Sequence, residues 1–246
     1  MIDLKSYAAQ TDQGPYLQLN EDDHLVDPDN GLFMVLDGFG GGGIGDKSTE
    51  LAKEAVGKFF TRIGDDPDST MPFFYSEKYL LEGNALINAM HHAHRIVREH
   101  NAERSIEKRG AVSVAAVARS ENLVTFVSCG NSVAYLCRKG MIEQFISPDS
   151  LGTLIFERHV HNFMSCPMSA IGLFKDIHLQ IRELRVQPGD QIVLMTEGAY
   201  SRLGPKEIKH TVVDNHLLDQ EKISVVFELA NSRGNISNQT MVLMQY

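Results

Sequence analysis

The sequence predicts an α+β fold with mostly antiparallel sheets, and three observations carry that reading. Apolar runs of strand length recur along the chain, at Leu32–Leu36, Ala111–Ala118, Leu123–Cys129, Val133–Cys137, Ile192–Thr196 and Met241–Gln245. Two long helical patterns sit together early, before most of those runs. The later runs are separated by turns as short as Ser120-Glu121-Asn122 and Gly130-Asn131-Ser132. Turns of that length favour hairpins, because a parallel crossover needs a dozen or more residues.

The elements follow in order. Leu32–Leu36 is a strand that ends in Asp37-Gly38, and a glycine-rich stretch from Gly40 to Gly45 follows. In the first helical pattern Leu51, Ala55, Val56, Phe59, Phe60 and Ile63 share one stripe, with Asp46 or Ser48 as N-cap candidates. Gly64-Asp65-Asp66-Pro67-Asp68 reads as a loop. The second pattern begins near Ser76 and carries Leu80, Ile87, Met90, Ala93 and Val97 on one face. A further helix is expected around Gln220–Ala230, before the last strand. No repeat or linker divides the chain, so one domain over residues 1–246 is expected.

Composition narrows the function. With 246 residues and 43% hydrophobic content the chain can bury a large core. The formal net charge of −9, with no block of Lys or Arg, disfavours nucleic acid and anionic membranes. Cys129, Cys137 and Cys166 form no C-x-x-C motif, which fits a reducing compartment. No basic n-region with an apolar h-region opens the chain and no run approaches membrane-span length, so a cytoplasmic location is expected.

The strand-acid-glycine junction at Asp37-Gly38 admits three readings. Gly38-Phe39-Gly40-Gly41-Gly42-Gly43 satisfies G-x-G-x-x-G, but Asp37 would repel a pyrophosphate. No acid ends a second strand about 20 residues later, as a ribose would require. Asp46 interrupts the P-loop spacing before Lys47-Ser48. A plain tight turn explains the glycines but not the acid. A centre for a hard divalent cation uses Glu21, Asp22 and Asp37 as carboxylates and the Gly38 carbonyl beside them. Thr196-Glu197-Gly198 repeats the strand-acid-glycine design, and Asn238-Gln239-Thr240 leads into the last strand, which suggests convergence on one sheet edge.

These motifs, in this order, resemble the PP2C-type (PPM) metal-dependent Ser/Thr protein phosphatases in their compact bacterial form. Asn20-Glu21-Asp22 is similar to N-E-D, and Asp37-Gly38-Phe39-Gly40-Gly41 to D-G-x-G-G. Gly130-Asn131-Ser132 stands for G-D-S, Thr196-Glu197-Gly198 for S-D-G, and Gly234-Asn235-Ile236-Ser237-Asn238-Gln239-Thr240 for G-x-x-D-N-x-T. The resemblance implies a four-layer α-β-β-α sandwich with helix pairs outside and a binuclear Mn or Mg site at one end. It also implies a metal-activated water that attacks phosphorus in line. Carried over, Asp37 bridges the ions, Glu21 and the Gly38 carbonyl complete one site with Asp22 close behind, and Glu197 and Asn238 serve the other.

Departures from the family pattern matter equally. The arginine expected four residues before Glu21 is Leu17, which cannot clamp a phosphate dianion. Asn131 and Asn238 replace carboxylates with amides, and Glu197 is longer than aspartate by one methylene, about 1 Å of reach. One cation site is therefore expected to be retained, the second weakened and the third lost. Two functions stay open: a pseudophosphatase or binding module for a phosphoprotein or protein partner, and an active Mn- or Mg-dependent Ser/Thr phosphatase.

Other features carry less. His91 and His94 lack the i, i+4 spacing of helical zinc sites, and His94 fits the apolar stripe. His159 and His161 are expected on a surface loop, and Cys166 lacks the downstream arginine of cysteine phosphatases, Gly172 standing there.

Overall fold

In a computed structural model, residues 2–40, 43–65, 71–157 and 160–246 are described. Gly41, Gly42, His159 and the Asp66-Pro67-Asp68 part of the expected loop lie outside them. The chain runs β1 (Ser6–Asp12), β2 (Asp22–Asp27), β3 (Leu32–Gly40), α1 (Gly45–Asp65) and α2 (Leu81–His100). A single 3-10 turn precedes β4 (Gly110–Ser120), β5 (Leu123–Cys129), β6 (Val133–Arg138) and β7 (Met141–Ile146). Next come β8 (Ser150–Glu157), β9 (Val160–Pro167), β10 (Gln180–Arg185) and β11 (Gln191–Met195). The chain closes with α3 (Glu197–Tyr200), α4 (Pro205–Val212), α5 (Asp219–Ser232) and β12 (Gln239–Gln245).

Two five-stranded antiparallel sheets stack, in the orders β1-β12-β11-β6-β7 and β10-β5-β4-β3-β2, and β8-β9 forms a separate hairpin. Strand periodicity builds three apolar layers from them. On β3, Leu32, Met34 and Leu36 face α1 and α2, packing with Val56, Phe60 and Met90. Phe33 and Val35 point the other way and meet Leu136, Ile192, Leu194 and Val242 between the sheets. The outer face of the second sheet, with Val193, Met195 and Leu243, is covered by Ile208, Val212, Ile223 and Phe227 of α4 and α5. The helix-sheet-sheet-helix layering expected from the family resemblance is therefore present. Strands buried on both faces read as unbroken apolar runs although the sheets are antiparallel.

The six apolar runs correspond to β3, β4, β5, β6, β11 and β12, the interior strands of the two sheets. The expected late helix is α5. Two local expectations differ. The Gly130-Asn131-Ser132 turn closes no hairpin, because β5 and β6 belong to different sheets and the chain crosses between them there. Gly130 makes the crossing with φ +86°, and a Cβ at this position would lie 2.4 Å from Ser113 Oγ. Helix α2 begins at Leu81 rather than near Ser76, because Asn84 holds the preceding segment in a loop through Ser76 N, Ser76 O and Tyr79 O at 2.9 Å each.

Candidate metal centre

The strand register brings the first two acids together. Asp22 opens β2 and pairs directly with Asp37 on β3. Opposed residues of an antiparallel pair share a face with Cβ atoms about 5 Å apart, where like charges destabilise. Asp22 is buried, and its Oδ2 accepts a hydrogen bond from Thr196 Oγ1 at 2.7 Å. Burial pushes its carboxyl up to about 7, the Thr196 and Thr240 hydroxyls offset part of that, and the charges of Glu197 and Glu21 add to it. Asp37 is raised well above the ordinary carboxylate range, by desolvation first and then by the charges of Asp22 and Glu197. The Glu197 backbone N–H donates to it and offsets part of the rise. Glu197 reaches the site because β11 ends at Met195 and α3 starts at Glu197.

Glu21 is built in from several directions. Its carbonyl accepts from Gly38 N at 3.2 Å and from Thr49 Oγ1 at 2.8 Å. Its Oε1 accepts from Gly45 N at 2.9 Å, so this carboxylate caps the amino end of α1. Burial raises the Glu21 carboxyl while the Gly45 and Asp46 amides hold it down. The cap expected from Asp46 or Ser48 is thus supplied from 24 residues upstream, and Ser48 Oγ instead bonds the Ile44 carbonyl at 3.1 Å. The close approach requires two of the glycines. A Cβ on Gly38 would sit 2.2 Å from Thr49 Oγ1, and one on Gly45 would sit 2.8 Å from the Glu21 carboxyl.

These acids line a cleft of ≈ 280 Å³ together with Leu17, Gly38, Phe39, Ser113, Asn131 and Asn238. Among the described residues its lining contains Glu21, Asp22, Asp37 and Glu197 and no Arg, Lys or His. Leu17 is 43% exposed at the mouth. Asn131 is buried; its N–H donates to Ser113 Oγ at 3.1 Å and its carbonyl accepts from Tyr200 Oη at 2.7 Å. Two larger cavities, of ≈ 460 and ≈ 330 Å³, contain none of Asp22, Asp37 and Glu197.

Letter by letter, G-x-x-D-N-x-T sets its aspartate on Ser237, and Asn238, expected as a ligand, matches the asparagine beside it; both line the cleft. Asn238 Oδ1 accepts from Glu21 N at 3.0 Å, and its Nδ2 donates to Gln13 O at 2.8 Å and Leu19 O at 3.0 Å. Sequence reasoning overlooked Thr196, Ser113 and Tyr200, whose hydroxyls orient the site; Thr196 stood in the quoted S-D-G-like motif without a role. Three histidines of α2 make contacts within the fold: His91 stacks on Phe73 at 6.1 Å, His92 lies 5.3 Å from Phe59, and His94 accepts from Gly172 N at 3.1 Å.

A hard cation suits the chemistry of this donor set. The set is all oxygen, two of its carboxylates are opposed in register, and burial and mutual charge disfavour their ionisation. Among the described residues, no three His, Cys, Asp or Glu side chains are already drawn in to ligand spacing.

The fold has many solved counterparts. It superposes on "PppA, a key regulatory component of T6SS in Pseudomonas aeruginosa" with TM-score 0.77 at 22% identity, covering 98% of each chain. The PPM Ser-Thr phosphatase MsPP from Mycobacterium smegmatis, in complex with cacodylate, gives TM-score 0.75 at 22% identity over 99% of each chain. The catalytic domain of the serine threonine protein phosphatase PstP, in complex with 2 manganese ions, gives 0.73 at 20% identity over 98% of this chain and 97% of that one. At these identities the likeness is one of fold. No curated protein matches the chain. The family model for protein phosphatase 2C matches residues 17–242, nearly the whole chain, and the chain belongs to that family.

Proposed function

We propose that residues 1–246 form one PP2C-fold domain that holds a single divalent cation, Mn²⁺ or Mg²⁺, and works by binding a protein partner rather than by hydrolysing phosphate esters. The observation that carries this reading is the charge of the cleft: four carboxylates and, among the described residues, no basic side chain. A phosphate dianion entering such a cleft meets repulsion from every acid and no fork-shaped donor to hold it, since Leu17 occupies the position where the family resemblance implies arginine. Glu21, Asp22, Asp37 and the Gly38 carbonyl would hold the cation, which when bound would supply charge neutralisation and a water of lowered pKa. Ser237, a neutral hydroxyl in the cleft lining where the G-x-x-D-N-x-T motif has its aspartate, supports one cation rather than two. PppA, described as a regulatory component, supports a signalling role for this fold. Among the described residues no helix is long and apolar enough to cross a membrane, in keeping with action in the cytoplasm.

A second reading, a Mn²⁺-dependent Ser/Thr phosphatase, draws on Glu197, whose backbone N–H bonds Asp37 and whose charge reaches both Asp22 and Asp37. In that reading Glu197 and Asp37 still hold a second ion. Calorimetric titration with Mn²⁺, with turnover of a phosphothreonine peptide in the same samples, separates the two. One ion bound and no turnover is expected. Two ions with turnover abolished by Asp37→Asn would establish the enzyme and overturn the binding-module reading.

A further inference from the structure

The cavity of ≈ 330 Å³ lies at the carboxyl end of α2, and its lining includes Arg95, Arg98, Arg109, Glu99, Asn101 and Gly172. Three arginines share this lining with one acid, in a chain whose formal net charge is −9. Arg95 is paired: its Nη1 lies 3.5 Å from Glu99 Oε1 in an exposed i, i+4 contact, where an ion pair contributes little. Among the described residues neither Arg98 nor Arg109 forms an ion pair. Their partners are main-chain carbonyls. Arg98 Nη1 donates to Lys175 O at 3.2 Å, and Arg109 donates through Nε to Arg104 O at 3.2 Å and through Nη1 to Leu173 O at 3.5 Å. Carbonyls orient a guanidinium without neutralising it, and most of its N–H groups are not spent within the fold.

The walls of the pocket are fixed from within. Asn101 is buried; its Nδ2 donates to Gly110 O at 2.7 Å and Gly172 O at 3.1 Å, and its Oδ1 accepts from Gly110 N at 3.2 Å. It ties the end of α2 to β4 and to the segment that carries the Leu173 and Lys175 carbonyls. Gly172 lets that segment approach, with φ +86° and no room for a Cβ, which would lie 2.2 Å from Val97 Cγ1. Beside Arg109, Arg104 holds its Nη1 buried with no hydrogen-bond partner among the described residues, which adds positive charge at the same place. The carboxyl end of a helix favours a cation in its last turn, and that accounts for Arg98. It does not account for Arg109, which comes from outside the helix.

We propose that this arginine pocket is a docking site for a phosphorylated side chain of a protein partner. Guanidinium groups match phosphate oxygens two at a time, and the pocket offers a dianion the donors that the acidic cleft lacks. Its position suits docking beside that cleft. Arg109 immediately precedes Gly110, which pairs with Gly40, and Ser113 further along β4 lines the cleft. From Arg109 to Ser113 the strand covers about 13 Å, a span that a short extended segment matches. An anionic membrane or a nucleic acid fits less well, because the cleft and the net charge repel an extended polyanion. The inference rests on the proposed function only in taking the carrier of the anion to be a protein.

The test follows the arginine Nε–H signals by NMR in EDTA, where no cation can hold phosphate in the acidic cleft. The probes are a phosphoserine peptide, the same peptide unphosphorylated, inorganic phosphate, and vesicles containing a phosphoinositide. The phosphopeptide should shift the Arg98 and Arg109 signals at millimolar concentration, inorganic phosphate more weakly and the unphosphorylated peptide not at all. Arg98→Gln and Arg109→Gln should each weaken phosphopeptide binding about tenfold. Lys58→Gln, which removes a surface cation elsewhere, should leave it unchanged. Glu99→Gln should tighten it about threefold, a gain that no loss of folding can produce. Unmoved arginine signals, arginine variants that bind like wild type, or a phosphopeptide bound no better than its unphosphorylated form would overturn the proposal. Binding of inorganic phosphate but not of the phosphopeptide would assign the pocket to a free anion. Vesicle binding that needs Arg98, without phosphopeptide binding, would assign it to a membrane; either result overturns the proposal. Phosphatase turnover with Mn²⁺ would overturn the binding-module reading and leave this pocket standing.

Discussion

Asp37→Asn should stabilise the cation-free protein and at the same time abolish its response to Mn²⁺. Asp37 faces Asp22 directly across the β2–β3 pair, with Cβ atoms about 5 Å apart. Two full charges at that separation repel by about 3 kcal/mol at an effective dielectric constant near 20. The amide gives up a charge-assisted bond from the Glu197 N–H, at a cost of about 1 kcal/mol. A net gain of about 2 kcal/mol remains wherever both acids are ionised. The sign with pH follows from the raised carboxyls. Between the unfolded value and the folded one near 7 for Asp22, the native state holds the extra proton. Wild-type stability therefore falls as pH rises through that window. The advantage of the variant should be small at pH 5 and full at pH 9. For a chain of this length 2 kcal/mol raises the thermal midpoint by roughly 5 °C. Saturating Mn²⁺ at a hundred times its Kd should stabilise the wild type by about 2.7 kcal/mol and the variant by nothing, so the order inverts. Thermal unfolding in EDTA and in MnCl₂ reads both halves. A variant less stable than wild type in EDTA at pH 9, or two proteins equally stabilised by Mn²⁺, would refute the reasoning.

Three further outcomes are expected. His94 accepts from Gly172 N on Nδ1, and burial lowers its pKa, with the Lys175 carbonyl offsetting part of the shift. Its stabilising effect should be present at neutral pH and lost as pH falls below about 6.5; His94→Gln should flatten that slope in urea unfolding, and an unchanged slope would dismiss the assignment. Asn88 is fully buried and accepts from Phe73 N and Phe74 N while donating to Phe74 O and Asn84 O. Asn88→Ala should cost about 3 kcal/mol and open the segment before α2 to proteolysis, which digestion mapped by mass spectrometry would reveal. Leu17→Arg puts a guanidinium into a lining that has no basic side chain among the described residues; inorganic phosphate should bind about tenfold more tightly, and calorimetry showing no change would argue against repulsion as the barrier.

What could be read from the sequence follows from where each residue is buried. All six strands expected from apolar runs are interior strands, and the four overlooked in the two large sheets, β1, β2, β7 and β10, are their four edges. An edge strand packs on fewer neighbours and tolerates polar residues, as in the Asp22–Asp27 segment with its three aspartates. Helices α1 and α5 were legible from periodicity, but the cap of α1 was not. The capping acceptor, Glu21 Oε1, lies just before β2, and no local pattern encodes a partner 24 residues away. At the site, Asp37 and Glu197 were legible because each ends an apolar run. The hydrogen-bond partners of Asn238 were hidden because they depend on which carbonyls the fold brings beside it. The same limit applies to Gly130, whose sheet-to-sheet crossing looks in sequence like any hairpin turn.

The tie between Glu21 and the first turn of α1 has a consequence for how such a domain can change over time. Replacing Glu21 would strip a helix of its cap and leave Gly45 N without its acceptor, a loss of about 1 kcal/mol or more before any ion is considered. Natural domains have little stability to give away. Selection for a folded chain is thus enough to preserve this acid in a lineage that has given up hydrolysis. A motif letter can outlive its chemistry when the scaffold has come to lean on it. The informative positions for judging catalysis in such a domain are those, like Leu17, that bear no weight in the fold.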